Sequence, residues 1–343
     1  MSAMITTATY TPVLGVVETQ RAAARIKRLF GDALADRLSL IKISAPKALR
    51  VGTGLQDDLA GTQEPVSFHT TFSDDKYEMV HSLAKWKRAQ LARYDIPVSE
   101  GVLTDMHAIR KDESISEIHS VHVDQWDWEQ RITAEQRTLD FLRQTVRTIY
   151  DVLRYTESEM AHAYPDLAPR LPEEITFIHT ETLAERYPDK TPKEREDAAA
   201  RAHGSIFVIG IGAPLPEGDP HDLRAADYDD WTTPTAEGPG LNGDIVVWDD
   251  VRGRALELSS MGIRVDPEAL KRQLKHVGRE HYSDQAFHKG ILDGSIPPSI
   301  GGGIGQSRVC MFMLRKAHIG EVQASIWSDE MRAELEDMGI PLL

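Results

Sequence analysis

The sequence predicts an α+β fold with a mostly antiparallel sheet. Strand patterns occur in neighbouring pairs, and the clearest pair, 102–110 and 117–128, is separated only by a short charged turn. Helical periodicity is inserted at intervals instead of alternating regularly with single strands, as it would in a βαβ fold. A wholly apolar run at 205–211 adds a strand that is buried on both faces.

The elements follow from hydrophobic periodicity and from turn residues. Helices are predicted at 17–38, 81–91, 134–162, 182–187, 192–203, 267–277 and 283–292. Strands are predicted at 39–44, 66–72, 77–81, 102–110, 117–128, 175–179, 205–211, 244–248 and 254–259. Ser82 is a candidate N-cap, and 133–136 fits a capping box. Residues 1–14 are expected to form a flexible arm, and 15–343 a single domain.

Composition limits the partners. The formal net charge of −15 argues against nucleic acid as the main partner. No apolar run approaches the roughly 20 residues of a membrane helix, and the first residues do not resemble a secretory signal. Cys310 is the only cysteine, so an internal disulfide is impossible. A cytoplasmic location is therefore expected.

The stretch Ile300–Arg308 contains four glycines within five positions and is followed by an apolar run. It predicts a strand-to-helix turn in which glycines adopt positive φ or lie against a ligand. The N–H groups at the start of the helix can bind an anion, and Arg308 can face a phosphate or a base. The alternative is an ordinary turn with a solvated arginine.

A polar face interrupts the strand pattern that ends near residue 129. Gln125, Asp127 and Glu129 alternate and therefore share one side of the strand. This predicts a polar pocket on the sheet, or more simply a solvated face. The long loop at 213–243 also contains a cluster of acids within 227–230, and loops of this length are usually functional or disordered.

Charged residues on separate elements suggest a nucleotide site. Arg110 at a strand end and Arg308 after the glycines can clamp a triphosphate from two sides. Asp244 and Glu257 lie on two strands of one predicted hairpin and can converge on Mg²⁺. Each carboxylate alone is more often solvated, but the combination favours the metal. No histidine spacing predicts zinc, and no Walker-type sequence is present.

Several blocks carry a family resemblance. The late glycine–arginine block, together with Arg110 and the spacing of His119, Val123 and Asp127, resembles the signature motifs of class II aminoacyl-tRNA synthetases. Further blocks resemble the ammonia-dependent asparagine synthetases, which are AMP-forming aspartate–ammonia ligases. These blocks are 81–88, 123–129, 227–231, 241–244, 257–264 and 301–308. The similarity extends from about residue 15 to the C-terminus.

The resemblance implies a homodimer with a class II synthetase-like antiparallel sheet flanked by helices. It implies that aspartate and ATP form β-aspartyl-AMP and pyrophosphate, with Mg²⁺ present, and that ammonia then displaces AMP to give asparagine. The implied aspartate-binding residues are Ser82, Lys87, Gln125, Asp229, Ser260 and Arg264. The implied ATP-binding residues are Arg110, Asp244, Glu257 and Arg308, of which Asp244 and Glu257 would bind the metal. The implied catalytic residues are Asp57, Arg110, Gln125 and Arg308.

Within that set, Lys87 and Arg264 would bind the carboxylates of aspartate, and Asp57 would lie near the attacking ammonia. The early loop Gly52–Asp58 departs from the family pattern at Leu55 and Asp58, which leaves the fine shape of the ammonia site open. Whether Arg308 contacts adenine or the γ-phosphate is also left open.

Two other functions fit parts of the sequence. One is an aspartate-adenylating tRNA synthetase paralogue that acts on another acceptor; the other is a catalytically inactive binding subunit. Glutamine-dependent amidotransferases commonly use a cysteine nucleophile, and Cys310 lies in an apolar run that is expected to be buried. Free ammonia, or ammonia from a partner protein, is therefore the expected nitrogen source.

Overall fold

The computed structural model describes residues 10–61, 63–216 and 218–343. The α-helices are α1 Val16–Arg37, α2 Ala84–Arg93, α3 Leu139–Ala163, α4 Thr180–Arg186, α5 Pro192–His203, α6 Pro267–His276, α7 Ala286–Leu292, α8 Gln306–Met313 and α9 Asp329–Asp337. The first strands are β1 Leu40–Lys42, β2 Ala48–Arg50, β3 Ser67–Thr70, β4 Ser73–Met79, β5 Gly101–Ile109, β6 His122–Arg131, β7 Thr176–His179 and β8 Ser205–Ile209. The remaining strands are β9 Pro234–Thr235, β10 Gly238–Pro239, β11 Asn242–Asp249, β12 Arg254–Ile263 and β13 Ser299–Gly305.

The main sheet has eight strands in the order β1-β5-β6-β13-β12-β11-β8-β7. The six central strands pair with one another in antiparallel fashion, whereas the edge strands β1 and β7 pair in parallel with β5 and β8. A separate three-stranded sheet, β2-β4-β3, precedes α2. The predicted α+β fold with a mostly antiparallel sheet is confirmed.

Helices α1, α3 and α8 pack together on one face of the sheet and enclose the main hydrophobic core. Phe30 of α1 packs against Trp126 of β6, with ring centroids 4.3 Å apart and the rings tilted by 35°. Strand β6 therefore directs its apolar residues, including Trp128, into this core. Because side chains alternate along a strand, its polar residues Gln125 and Asp127 point to the opposite face, towards α2.

The glycine-rich stretch is a strand and not a turn, which corrects the sequence prediction. Residues Ser299–Gly305 form β13 between β6 and β12, and none of Gly301, Gly302, Gly303 and Gly305 has a positive φ. The glycines are needed because side chains of the neighbouring strands cross over them. A Cβ at Gly301 would lie 1.9 Å from Glu129 Oε2, and a Cβ at Gly303 would lie 2.5 Å from Gln125 Oε1.

We expect Gly301→Ala to destabilise the protein by about 3 kcal/mol, because the added methyl group would displace a buried carboxylate from its partners. Gly305→Ala is the matched control in the same strand, since its Cβ would meet only Arg308 at 3.4 Å. It should change the free energy of unfolding by less than about 0.5 kcal/mol. Urea unfolding of both variants tests this, and equal midpoints would contradict it.

Several boundaries differ from the sequence prediction, and three of them have a local cause. Helix α3 begins at Leu139 and not near 134, because Thr138 is the N-cap and accepts from Phe141 N. Strand β4 begins at Ser73, so the turn of that hairpin lies at 71–72. Strand β6 begins at His122, because 116–119 closes a tight bridge of its own.

The described end of the predicted N-terminal arm contacts the domain. Tyr10 Oη donates to Glu321 at 2.9 Å, and the carbonyl of Leu14 accepts from Lys316 Nζ at 3.0 Å. Residues 1–9 of the predicted arm lie outside the described residues. In the described ranges, no helix combines the length and apolarity needed to cross a membrane.

Candidate active site

Two adjoining cavities lie on the face of the sheet that carries α2. The larger has a volume of about 390 Å³ and the smaller about 230 Å³. Both are lined by Arg110, Gln125, Glu257 and Gly303, so they share a boundary. Of the predicted site residues, the larger cavity also contains Asp57, Ser82, Lys87, Asp229, Ser260 and Arg264. Arg308 lines the smaller cavity.

The floor of the larger cavity is built around Arg264 at the end of β12. Its guanidinium bonds Glu129 through Nε at 3.0 Å and Nη2 at 2.8 Å, and Nη1 pairs with Asp229. Burial alone would raise the pKa of Glu129, but Arg264, with Lys87 and Ser299, holds that pKa below its usual range. For Asp229 burial dominates, and its pKa is raised. The Arg264 guanidinium is thus the shared ion-pair partner of two buried carboxylates.

Lys87 enters the same cavity from α2. Its ammonium pairs with Asp127 and donates to the carbonyl of Gly302 at 2.8 Å. Burial lowers the pKa of Lys87 and raises the pKa of Asp127. Asp127 Oδ2 is buried without a hydrogen-bond partner among the described residues. Asp127 was noted in the sequence as part of a polar face but was not assigned to the site.

Asp57 is 2 % exposed, although it lies in a loop. Ser82 Oγ donates to Asp57 Oδ2 at 2.7 Å, and the N–H of Leu59 donates to Oδ1 at 3.0 Å. Ser82 is therefore not the N-cap of α2, as predicted from the sequence. Leu83 occupies that position without a side-chain cap, because its side chain has no hydrogen-bond acceptor.

A second buried cluster supports this corner of the site. Lys85 Nζ donates to Asp227 Oδ2 at 2.7 Å, and His288 Nε2 lies 2.9 Å from the same oxygen. Burial would raise the pKa of Asp227, but Lys85 and His288 lower it to about 2. Lys85 and Lys87 are both buried, although they lie two positions apart on α2. The cluster ties α2 to the acidic segment at 227–230 and to α7.

Arg110 follows directly after β5 at the boundary between the cavities. Its Nη2 donates to the carbonyl of His81 at 3.0 Å, and its Nη1 is 4.0 Å from Glu113. The backbone carbonyl holds the guanidinium in place without neutralising its charge. Arg110 can therefore interact with an anion that spans both cavities.

Arg308 is the third residue of α8. Its Nη1 donates to the carbonyl of Glu257 at 3.1 Å and lies 3.5 Å from Glu257 Oε2. The N-terminus of α8 does not present all its N–H groups to a ligand, because Asp124 Oδ1 accepts from Ser307 N at 3.1 Å. The sequence predicted a bound anion at this helix N-terminus, and the carboxylate of Asp124 occupies that position.

Asp244 and Glu257 are not direct partners in the hairpin. Asp244 pairs in register with Ser260, and a bulge between Ile245 and Val246 separates it from Glu257. Both carboxylates nevertheless act on one largely buried guanidinium, that of Arg224. Burial, together with the nearby Glu257, raises the pKa of Asp244 to about 6. Asp244 lines neither cavity among the described residues, because Arg224 lies against it.

The carboxylates of Asp244 and Glu257 are chemically suited to bind a divalent cation. Asp244 Oδ1 is buried and has no hydrogen-bond partner among the described residues, and oxygen ligands are those that Mg²⁺ prefers. In the described ranges, however, no three His, Cys, Asp or Glu side chains come together as a metal centre. Two protein carboxylates supplemented by phosphate oxygens remain compatible with Mg²⁺.

His119 lies in the smaller cavity and was missed as a site residue, although the motif spacing contains it. Its Nδ1 is 2.8 Å from Ser116 Oγ. Burial and the nearby Arg308 lower its pKa to about 4, so the imidazole is neutral at physiological pH. A neutral ring can accept or donate a hydrogen bond within this cavity.

Solved structures with the same fold come from tRNA synthetases. Asparaginyl-tRNA synthetase from Pyrococcus horikoshii, complexed with asparaginyl-adenylate, gives a TM-score of 0.66 at 14% identity over 91% of this chain and 70% of that chain. The Entamoeba histolytica asparaginyl-tRNA synthetase, also in complex with asparaginyl-adenylate, gives 0.65 at 13% identity over 92% and 68%. The architecture is therefore that of class II aminoacyl-tRNA synthetase-like proteins, as predicted.

Within this class, the model of the aspartate–ammonia ligase family matches residues 17–339, and the chain belongs to that family. A relative from Parabacteroides distasonis, named aspartate–ammonia ligase, is 50% identical over 345 residues and is aligned over all of both chains. A relative of the same name from Bacillus cytotoxicus is 49% identical over 97% of this chain and 99% of its own. The predicted family is confirmed.

Proposed function

We propose that this aspartate–ammonia ligase makes asparagine from aspartate and ammonia in two steps, using ATP. The observation that carries the proposal is the alternation of charge in the larger cavity. Lys87 and Arg264 supply cations, and Asp127 and Asp229 supply carboxylates, all buried. In the free protein these buried cations and carboxylates pair with one another. Aspartate carries two carboxylates and one ammonium group, so bound aspartate can take the place of those partners.

In the first step, the side-chain carboxylate of aspartate attacks the α-phosphorus of ATP and pyrophosphate leaves. Lys87 and Arg264 hold aspartate, while Gln125 and Arg110 lie at the boundary where the two substrates would meet. Arg308 and His119 would contact ATP in the smaller cavity. A magnesium ion held by Asp244 and Glu257 would neutralise charge on the departing phosphates.

In the second step, ammonia attacks the acyl carbon of β-aspartyl-AMP, the carbon–oxygen bond to AMP breaks, and asparagine forms. Ammonium predominates at neutral pH and must lose a proton before its lone pair can attack. Asp57 can attract ammonium and take that proton, while Ser82 holds its carboxylate in position. The nitrogen releases a further proton to solvent as the amide forms.

Product analysis tests this function. Incubation with ATP, Mg²⁺, aspartate and ammonium should yield asparagine, AMP and pyrophosphate in equal amounts, and omission of Mg²⁺ should stop the reaction. Omission of ammonium should stop asparagine formation and slow AMP release. AMP release that is indifferent to ammonium would instead indicate an aspartate-activating enzyme with another acceptor.

We expect Asp57→Asn to separate the two steps. Aspartate-dependent exchange of pyrophosphate into ATP should stay within about threefold of wild type, whereas asparagine formation should fall by roughly 10²-fold because the proton acceptor is lost. Asp58→Asn is the neighbouring control, since Asp58 pairs with Arg279 and does not line the larger cavity. Equal losses in both steps for Asp57→Asn would refute its assignment to ammonia.

The same proposal includes a homodimer that works in the cytoplasm without binding nucleic acid. The net charge of −15 supports the absence of a nucleic-acid partner, because phosphate backbones repel an acidic surface. For a homodimer, sedimentation equilibrium should give twice the chain mass. Added tRNA should leave that mass unchanged, because no nucleic acid binds.

A further inference from the structure

Arg224 is a buried cation at the site that the family resemblance does not assign. It lies in the segment between β8 and β9, and its side chain is 13 % exposed at the wall of the larger cavity. Its Nη2 pairs with Asp244, and its Nη1 donates to the carbonyl of Leu223 at 3.0 Å. Its Nε is buried without a hydrogen-bond partner among the described residues.

The ion pair of Arg224 with Asp244 is therefore incomplete on both sides. Asp244 Oδ1 is also buried without a partner in the described part of the chain. A buried donor and a buried acceptor left unpaired cost free energy, and such atoms commonly indicate an unoccupied ligand position. Here the unpaired acceptor suits a metal ion, and the unpaired donor suits an anion.

Carboxylates surround both arginines. Arg224 is paired with Asp244, and Glu257 acts on both Arg224 and Arg308. Asp222 Oδ2 lies further away, 3.9 Å from Arg224 Nη1. A divalent cation bound by Asp244 and Glu257 would neutralise them. Arg308 would then lose its carboxylate partner, and Arg224 would keep the more distant carboxylate of Asp222. The arriving complex must therefore also bring negative charge, and the phosphates of a nucleotide supply it.

We propose that Arg224 binds the β- and γ-phosphates of the nucleotide and later the pyrophosphate product. In the free enzyme its guanidinium pairs with the carboxylate of Asp244. When a metal ion binds that carboxylate, the guanidinium would be released to bind the phosphates. A guanidinium forms paired hydrogen bonds with phosphate oxygens, which a single Asp244 oxygen does not satisfy. This inference rests on the proposed use of ATP and a divalent metal.

The proposal predicts a selective loss of affinity. Calorimetric titration of Arg224→Met should show roughly 10- to 100-fold weaker binding of ATP and of pyrophosphate, each with Mg²⁺. Affinity for AMP should stay within twofold, because AMP lacks the β- and γ-phosphates. Retained AMP binding also shows that the variant is folded. Arg224→Lys, which keeps the charge but loses the paired donors, should fall between wild type and Arg224→Met.

Arg254→Met provides the matched control. Arg254 begins β12, has Glu117 and Asp197 as acidic neighbours, and lines neither cavity among the described residues. It should bind all three ligands as wild type does. Unchanged ATP and pyrophosphate affinity in Arg224→Met, or an equal loss for AMP, would overturn the role of Arg224. If wild type bound neither ATP nor pyrophosphate, the proposed function itself would fail, and this inference with it.

Discussion

Replacing Arg264 with methionine should lower the free energy of unfolding by about 3–5 kcal/mol and abolish aspartate binding. Arg264 is the shared partner of Glu129 and Asp229, and Glu129 is 0 % exposed. Without the guanidinium, the hydroxyl of Ser299, at 2.6 Å, would be the one remaining hydrogen-bond donor to the Glu129 side chain in the described part of the chain. A buried carboxylate with so little compensation must either bind a proton or draw water into the core.

Urea unfolding and aspartate titration measure the two effects separately. The double variant Arg264→Met with Glu129→Gln should regain part of the stability, because the buried charge is removed, but it should not regain aspartate affinity. If the single variant lost less than about 1 kcal/mol, the buried ion network would not be the main support of the cavity floor. If the double variant bound aspartate normally, Arg264 would not contact the substrate.

Replacing Arg308 with alanine should reduce aspartate-dependent pyrophosphate exchange by about 10²–10³-fold. A loss of this size is typical when one preorganised hydrogen-bond donor is removed from a site where negative charge develops in the transition state. Burial would raise the pKa of Glu257, but Arg308 and other cations hold it at about 2. Added Mg²⁺ should not restore exchange, because a metal ion at Asp244 and Glu257 does not replace the hydrogen-bond donors of Arg308.

Arg315→Ala is the control for this experiment. Arg315 lies just beyond α8, is half-buried, and donates to the carbonyl of Ala168 at 3.0 Å. It should leave pyrophosphate exchange within about twofold of wild type, because surface contacts of this kind contribute little. If Arg308→Ala kept normal exchange and lost only asparagine release, Arg308 would act after adenylation.

The site was foreseen mainly where residue type and motif spacing coincide. Arg110, Gln125, Lys87 and Arg264 line the larger cavity, as the family resemblance implied. The alternation of Gln125 and Asp127 along a strand also indicated a polar face, and that face lies in the cavity. The binding roles of these side chains remain predictions, which the variants described above test.

The glycine stretch shows where local reasoning failed. Clustered glycines predict positive φ or a turn, yet Gly301 and Gly303 lie in an extended strand at the centre of the sheet. Their small size is required by Glu129 and Gln125, which are more than 170 positions earlier in the sequence. No window of neighbouring residues contains that information, because the clash is with an adjacent strand.

The sequence by itself determined the α+β class, most elements and the family, because hydrophobic period and motif composition are local properties. Only the tertiary structure decided which charges are buried together. Lys85 with Asp227 and His288, and Arg224 with Asp244, are pairings between distant segments. Isolated charges are usually solvated, so sequence alone favours exposure; a shared low-dielectric cavity makes their pairing obligatory.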